Sequence, residues 1–206
     1  IWKINNNEGT KMKATPWENP GDHNWLGVWT LYMREVRRFT KIYTQTMLAP
    51  VVTTLLFLAV FSLVIGPRSK SFVGGVPFLE FLVPGLIMMA IAQNAFGNTS
   101  SSIVVAKIQG NIVDTLMPPF SADELTLSIA LGGVTRGIAV GFCVALAMSF
   151  FIPGNLHNVA FIAFHGFMAS LMLSLLGLMG GIWSEKFDHI AAVTNFVVTP
   201  LSFLSG

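Results

Sequence analysis

Between Thr126 and Ser184 the only charged residue is Arg136. A guanidinium deep in a membrane span costs about 2.5–3.5 kcal/mol on insertion scales, so it must snorkel or find a partner. The chemistry open to it is binding. It pairs with a carboxylate near the cytoplasmic mouth, the candidates being Asp114, Asp123, Glu124, Glu185 and Asp188, or it holds or gates a substrate. A second polar concentration is Gln93, Asn94, Asn98, Thr99, Ser100, Ser101 and Ser102, inside a run from Phe81 to Ala106 that lacks any charge. Amides and hydroxyls in lipid cost free energy unless they are paired or wetted. They either bond neighbouring helices or line a substrate path. For a path or gate the candidates are Gln93, Asn94, Asn98, Ser101 and Arg136.

The third feature is KIQGNIVDTLMPPFSADEL, residues 107–125, the densest polar interruption after the N-terminal region. It separates two long apolar segments, so it lies in water on one side of a membrane. Gly110 precedes a compact helix candidate that Pro118-Pro119 terminates. Ile112, Val113, Leu116 and Met117 give it an apolar face suited to docking a partner; the alternative is an ordinary connecting loop.

Catalytic arrangements are missing from the sequence. There is no G-x-x-x-x-G-K-[ST] nucleotide loop. His23, His157, His165 and His189 are scattered without metal-ligand spacing, and no metal is expected. The single cysteine, Cys143, sits in an apolar run and reads as a small packing residue. Asn98-Thr99-Ser100 matches a glycosylation acceptor by chance, since it falls within a span.

These features need a membrane scaffold. The 206 residues are 53% hydrophobic and 11% charged, against roughly 25% charged in soluble domains. The net charge of +2 gives no case for nucleic acid. A span takes about 20 apolar residues. The spans expected are 42–65, with Pro50 near its start, then 77–106, 125–152 and 158–183, with a fifth beginning at 190. Loops fall at 66–76, at the Pro153-Gly154-Asn155 turn and at SEKFDH, 184–189. Before them, Trp25, Trp29, Tyr32, Val36, Phe39 and Tyr43 share one helical face, while Arg34, Arg37, Arg38 and Lys41 share the other. That describes an amphipathic helix lying in the membrane interface. The fold class is thus an all-α polytopic membrane protein: an N-terminal interfacial helix plus about five transmembrane helices.

Residues 1–24 form a polar cytoplasmic tail, and 25–206 the transmembrane domain. Residues 1–11 are expected to be foreign to the protein, with Met12-Lys13 as a natural start, and the chain is expected to stop inside its fifth span. Lysine and arginine cluster on the N-terminal side, with Lys107 and Lys186 on the same side and only Arg68 and Lys70 opposite. The N-terminus is therefore expected in the cytoplasm. Gly133, Gly137, Gly141, Ala145 and Ser149 recur every fourth position, and Gly177 and Gly181 repeat the spacing. Small residues so spaced let helices approach closely, within the chain or across a dimer.

The segments REVRRFTKIYTQTMLAP (34–50), FLEFLVPGLIMM (78–89), GNIVDTLMPP (110–119), GGVTRG (132–137) and FDHIAAVTNFVVTPLSFLSG (187–206) occur in this order. Together they resemble the membrane permease subunits of ABC type-2 transporters, and most of all the small, half-size bacterial export permeases. The resemblance implies an interfacial connecting helix at 25–41. It also implies a coupling helix within 107–119, carried by Gly110, Asn111, Ile112, Val113, Asp114, Thr115, Leu116, Met117 and Pro118, that docks on a separate ATPase subunit. Two permeases and two ATPases would form the exporter in a bacterial inner membrane. ATP-Mg would bind the partner, no cofactor would bind this chain, and family members usually have six spans. An ion-gradient-driven secondary transporter is the alternative. Such proteins place ionisable groups at the midplane, whereas these spans offer Arg136 and no deep acid.

Overall fold

A computed structural model of the chain describes residues 25–64, 77–117, 120–152 and 159–200. The expected tail at 1–24, the 66–76 loop, Pro118-Pro119, the 153–155 turn and the end of the fifth span at 201–206 lie outside the described residues.

The described elements are helices: α1 (Trp25–Thr40), α2 (Tyr43–Val64), α3 (Phe78–Ile108), α4 (Ile112–Leu116), α5 (Ala122–Ser149), α6 (Val159–Trp183) and α7 (Phe187–Val193), which continues as a π-helical turn, Thr194–Val198. Four of them, α2, α3, α5 and α6, are long and apolar enough to cross a membrane. The apolar stretch Phe187–Val198 is shorter and opens where the fifth span was expected. Helix α7 takes in Phe187, Asp188 and His189, so the charged loop expected at 184–189 contracts to three residues. Helix α5 starts three residues earlier than the apolar run. Ser121 caps it, its Oγ accepting from Glu124 N at 3.2 Å while Glu124 Oε2 accepts from Ser121 N at 2.9 Å. This reciprocal pair satisfies two of the orphan donors of a first turn.

Helix α3 is central. It packs along α6 on one side and α5 on the other, while α1 lies on α5 and α2 rests more lightly on α5 and α3. The glycines make this possible. A Cβ at Gly137 would stand 2.9 Å from the Ile91 carbonyl oxygen, and one at Gly181 2.9 Å from that of Ser100. Gly133 faces Thr99 and Ser174, and Gly177 faces Phe96. The small-residue spacing thus serves packing within the chain. One apolar core joins Leu58, Leu86, Ala90, Val140, Val144 and Met148 between α2, α3 and α5. A second joins Ile103, Ile129 and Leu178 near the ends of α3, α5 and α6 that face α4.

Helix α1 is amphipathic, as expected. The buried residues are Val28, Leu31, Glu35 and Phe39, while Trp25 and Trp29 stay exposed. Arg34, Arg37 and Lys41 are exposed as expected. Arg38 instead turns inward, because Glu35 one turn before it and Asn98 on α3 offer it acceptors.

Candidate functional site

The α4 segment begins at a sharp turn. Gly110 has φ of +74°, the left-handed region where glycine pays no steric penalty, and it closes α3 just beyond Gln109. The five-residue helix that follows divides its side chains. Ile112 packs on the Ile103, Ile129 and Leu178 cluster. Thr115 is buried and its Oγ1 accepts from Arg34 Nη1 at 3.1 Å, tying α4 to α1. Val113 is 52% exposed, Met117 76%, and Asn111 and Asp114 are also open. The free apolar face is therefore narrower than expected. Ile112 belongs to the chain's own core, and Val113 and Met117, one turn apart, remain outside. The Leu116 side chain and Pro118 lie outside the described residues.

The polar run on α3 separates into three uses. Some groups bond their own helix. Thr99 Oγ1 donates to Phe96 O at 3.2 Å, Ser100 Oγ to Phe96 O at 2.8 Å, Ser101 Oγ to Asn98 O at 3.1 Å and Asn94 Nδ2 to Ala90 O at 2.9 Å. Others meet α1. Ser102 Oγ lies 2.9 Å from both oxygens of Glu35, a carboxylate only 1% exposed. Arg38 Nη2 lies 3.2 Å from Glu35 Oε2, and it donates to Asn98 O at 2.7 Å and Asn98 Oδ1 at 2.9 Å; Arg38 Nη1 reaches Ser101 Oγ at 3.4 Å. Burial pulls the Arg38 guanidinium below its ordinary pKa; Glu35 opposes this and Arg34 adds to it. Glu35 fits so deeply because it faces Gly132, where a Cβ would stand 2.6 Å from the Glu35 Cβ.

Arg136 does not pair as the sequence suggested. Its hydrogen bond runs to Asn98 Oδ1 at 3.4 Å, an oxygen it shares with Arg38. Asp114, Asp123, Glu185 and Asp188 are exposed, and Glu124 is engaged in the α5 cap. Asp123 and Glu124 sit about 18 Å lower along α5 at 1.5 Å per residue. Among the described residues the carboxylate near this level is Glu35, and Arg38 and Ser102 hold it.

The third use is a cleft of about 460 Å³ between α2, α3 and α5. Gln93, Asn94 and Arg136 line it opposite Gln45, Thr46 and Thr53, with Phe57, Leu86 and Met89 forming its apolar wall. The structure thus gathers three of the five candidate path residues. Asn98 and Ser101 belong to the α1 network, and Arg136 joins the two. Gln45 is exposed on α2, an amide that lipid alone would leave unsatisfied, whereas the exposed Thr53 donates to Ala49 O of its own helix at 2.8 Å.

Two positions went unsuspected in the sequence. Glu35 falls four residues after Leu31 and four before Phe39, so an acid on the apolar spacing was the available signal. Lys107 Nζ donates to Gly181 O and Ser184 O at 3.0 Å each, and to Ile182 O, which caps the C-terminal end of α6. Nothing local to Lys107 announces that role. Among the described residues no group of three or more His, Cys, Asp or Glu could hold a metal. Cys143 packs against Met47, and His165 bonds its own helix at Phe161 O.

The family described as "ABC-2 type transporter" matches residues 27–206. The chain is 36% identical over 182 residues to "Inner membrane transport permease YadH" of Escherichia coli strain K12, covering 88% of this chain and 71% of that protein. The proteins of the same name from Escherichia coli O157:H7 and Shigella flexneri show the same identity over the same shares. No solved structure matches significantly. With four span-length helices, an amphipathic helix before them and a family match over nearly its whole described length, this chain belongs to the ABC-2 type transporter family.

Proposed function

We propose that the chain is the membrane-spanning permease subunit of an ATP-driven exporter in a bacterial inner membrane, with its N-terminus in the cytoplasm. A separate ATPase subunit docks on α4, and a second permease copy faces the cleft to complete the substrate path. The family assignment and the name of the 36% identical relatives support the transport reading. One observation carries the coupling: α4 presents Val113, Asp114 and Met117 outward while Ile112 and Thr115 anchor it to the cores and to α1. A push on the outer face would reach α1 through Arg34 and α3 through Gly110. ATP with magnesium would bind the ATPase, and the residues of this chain bind substrate and transmit the motion. The exposed Gln45 amide on α2 supports a second copy, since a partner or water must satisfy it.

The test is mild extraction of the full-length protein and identification of what accompanies it. A stoichiometric subunit carrying a nucleotide-binding loop, lost in Val113→Arg, is the expected result. A chain that purifies alone and transports without ATP would overturn the proposal and favour ion-gradient coupling.

A further inference from the structure

We propose that the cleft between α2, α3 and α5 binds the anionic head of an amphiphile, a phosphate or carboxylate on an apolar tail, with Arg136 as the counter-charge. This deepens the path reading above and rests on it, by naming the class of molecule that the path accepts.

The charge balance comes first. At the junction of α1, α3 and α5, Arg38 and Arg136 share one neutral acceptor, Asn98 Oδ1. The carboxylate there, Glu35, is held by Arg38 and Ser102, with Arg34 3.6 Å away. Among the described residues Arg136 has no ion pair, and its Nε is buried without a hydrogen-bond partner. A guanidinium carries five donors in a planar fork, so most of its capacity is unused. A cation half-removed from water beside a second cation favours an anion in the adjoining space.

The space itself supplies the rest. Arg136 borders the cleft together with Gln93, Asn94 and Gln45, whose amides can donate to the remaining oxygens of a phosphate or carboxylate. The opposite requirement, a place for a tail, is met by Ile42, Pro50, Phe57, Leu86 and Met89. Helix α2 leaves the cleft open along its exposed face, so a molecule can enter from the bilayer side or from between two copies. A cationic drug would meet Arg136 unfavourably. A neutral saccharide would leave the apolar wall unused.

The test uses the full-length permease with its co-purified partner in phosphatidylcholine nanodiscs and fluorescently labelled phosphatidic acid as the probe. Dodecyl phosphate and laurate should displace the probe, whereas dodecyltrimethylammonium and inorganic phosphate should need about tenfold higher concentrations or more. Arg136→Gln should weaken probe binding about tenfold, and Arg136→Lys should retain most of it. Because Arg136 also bonds Asn98, a second variant, Gln93→Leu with Asn94→Leu, reads the same cleft without touching the arginine and should also weaken binding. Equal displacement by the cationic amphiphile, or unchanged affinity in both variants, would overturn the inference. Displacement by inorganic phosphate at the concentration of dodecyl phosphate would overturn the amphiphile and leave a free-anion site. The two readings fail separately. Charge-selective binding without ATP-dependent movement of the labelled lipid in proteoliposomes keeps the site and removes the path. ATP-driven transport indifferent to Arg136 does the reverse.

Discussion

Ser102 Oγ lies 2.9 Å from each carboxylate oxygen of Glu35, a residue 67 positions away in sequence. The contact fixes α1 against α3, and Arg38 closes it from the α1 side at 3.2 Å. Removing one member strands the others in a buried setting. Glu35→Ala should therefore destabilise the full-length protein by about 3 kcal/mol, seen as a lower denaturation temperature in detergent. Glu35→Gln should cost less because it still accepts from Ser102. The double variant Glu35→Ala, Arg38→Ala should lose less than the sum of the single losses, because both remove the same pair.

The glycines give a prediction with an internal control. A Cβ at Gly177 would stand 2.5 Å from the Phe96 carbonyl oxygen and 3.0 Å from its Cα, atoms of a backbone that cannot swing aside. Gly177→Ala should cost about 1–3 kcal/mol as α6 is forced off α3. At Gly97, on the same stretch of α3, a Cβ would meet nothing within 4 Å. Gly97→Ala should be neutral or stabilising by up to about 1 kcal/mol, since alanine is the better helix former. Thermal denaturation of both variants in one detergent checks the contrast.

On α4 the outward and inward residues should behave differently. Val113→Arg and Met117→Glu change exposed positions and should leave stability within about 0.5 kcal/mol. They should nevertheless abolish association with the ATPase, measured by co-purification and by substrate-stimulated ATP hydrolysis. Ile112→Asp places a charge on the Ile103, Ile129 and Leu178 cluster and should reduce the yield of folded protein itself. Retained coupling in Val113→Arg and Met117→Glu would count against α4 as the docking element.

Much of this was legible in the sequence, and the unread part has a common cause. Span positions followed from apolar length, and the packing use of Gly133, Gly137, Gly141, Gly177 and Gly181 from their spacing. Boundaries slipped where polar chemistry extends a helix, as at Ser121, whose cap begins α5 before the apolar run does. Partners were harder. Arg136 suggested a carboxylate near the cytoplasmic mouth, but the acid at its level among the described residues, Glu35, comes from α1 and is taken by Arg38. Ile112 carried the same apolar signal as Val113, and only the position of α4 above the second core distinguishes inward from outward. Periodicity reports that a face is apolar. Which neighbour covers that face depends on how distant helices cross.

Lys107 supplies the last prediction. Its ammonium gathers the carbonyls of Gly181, Ile182 and Ser184, acceptors that the end of α6 otherwise leaves open. Lys107→Met should cost about 1–2 kcal/mol and speed hydrogen exchange at the backbone amides around 180–186. Lys107→Arg should restore part of the protection, because the charge remains while the geometry differs.

The hydroxyls of α3 bear on how the chain is made. Helix α3 leaves the ribosome before α5 and α6, the helices that later cover it. Thr99, Ser100 and Ser101 already have acceptors in the carbonyls of Phe96 and Asn98 on their own helix, and Asn94 has Ala90. Ser102 and Asn98 take partners from α1, which is synthesised earlier still. The hydroxyls of a nascent α3 can thus enter the bilayer answered by their own helix or by what precedes it. Helix α6 then arrives with glycines where α3 needs only closeness. For these hydroxyls the order of synthesis and the order of hydrogen bonding run in the same direction, whereas Lys107, at the end of α3, meets its carbonyls only once α6 is made.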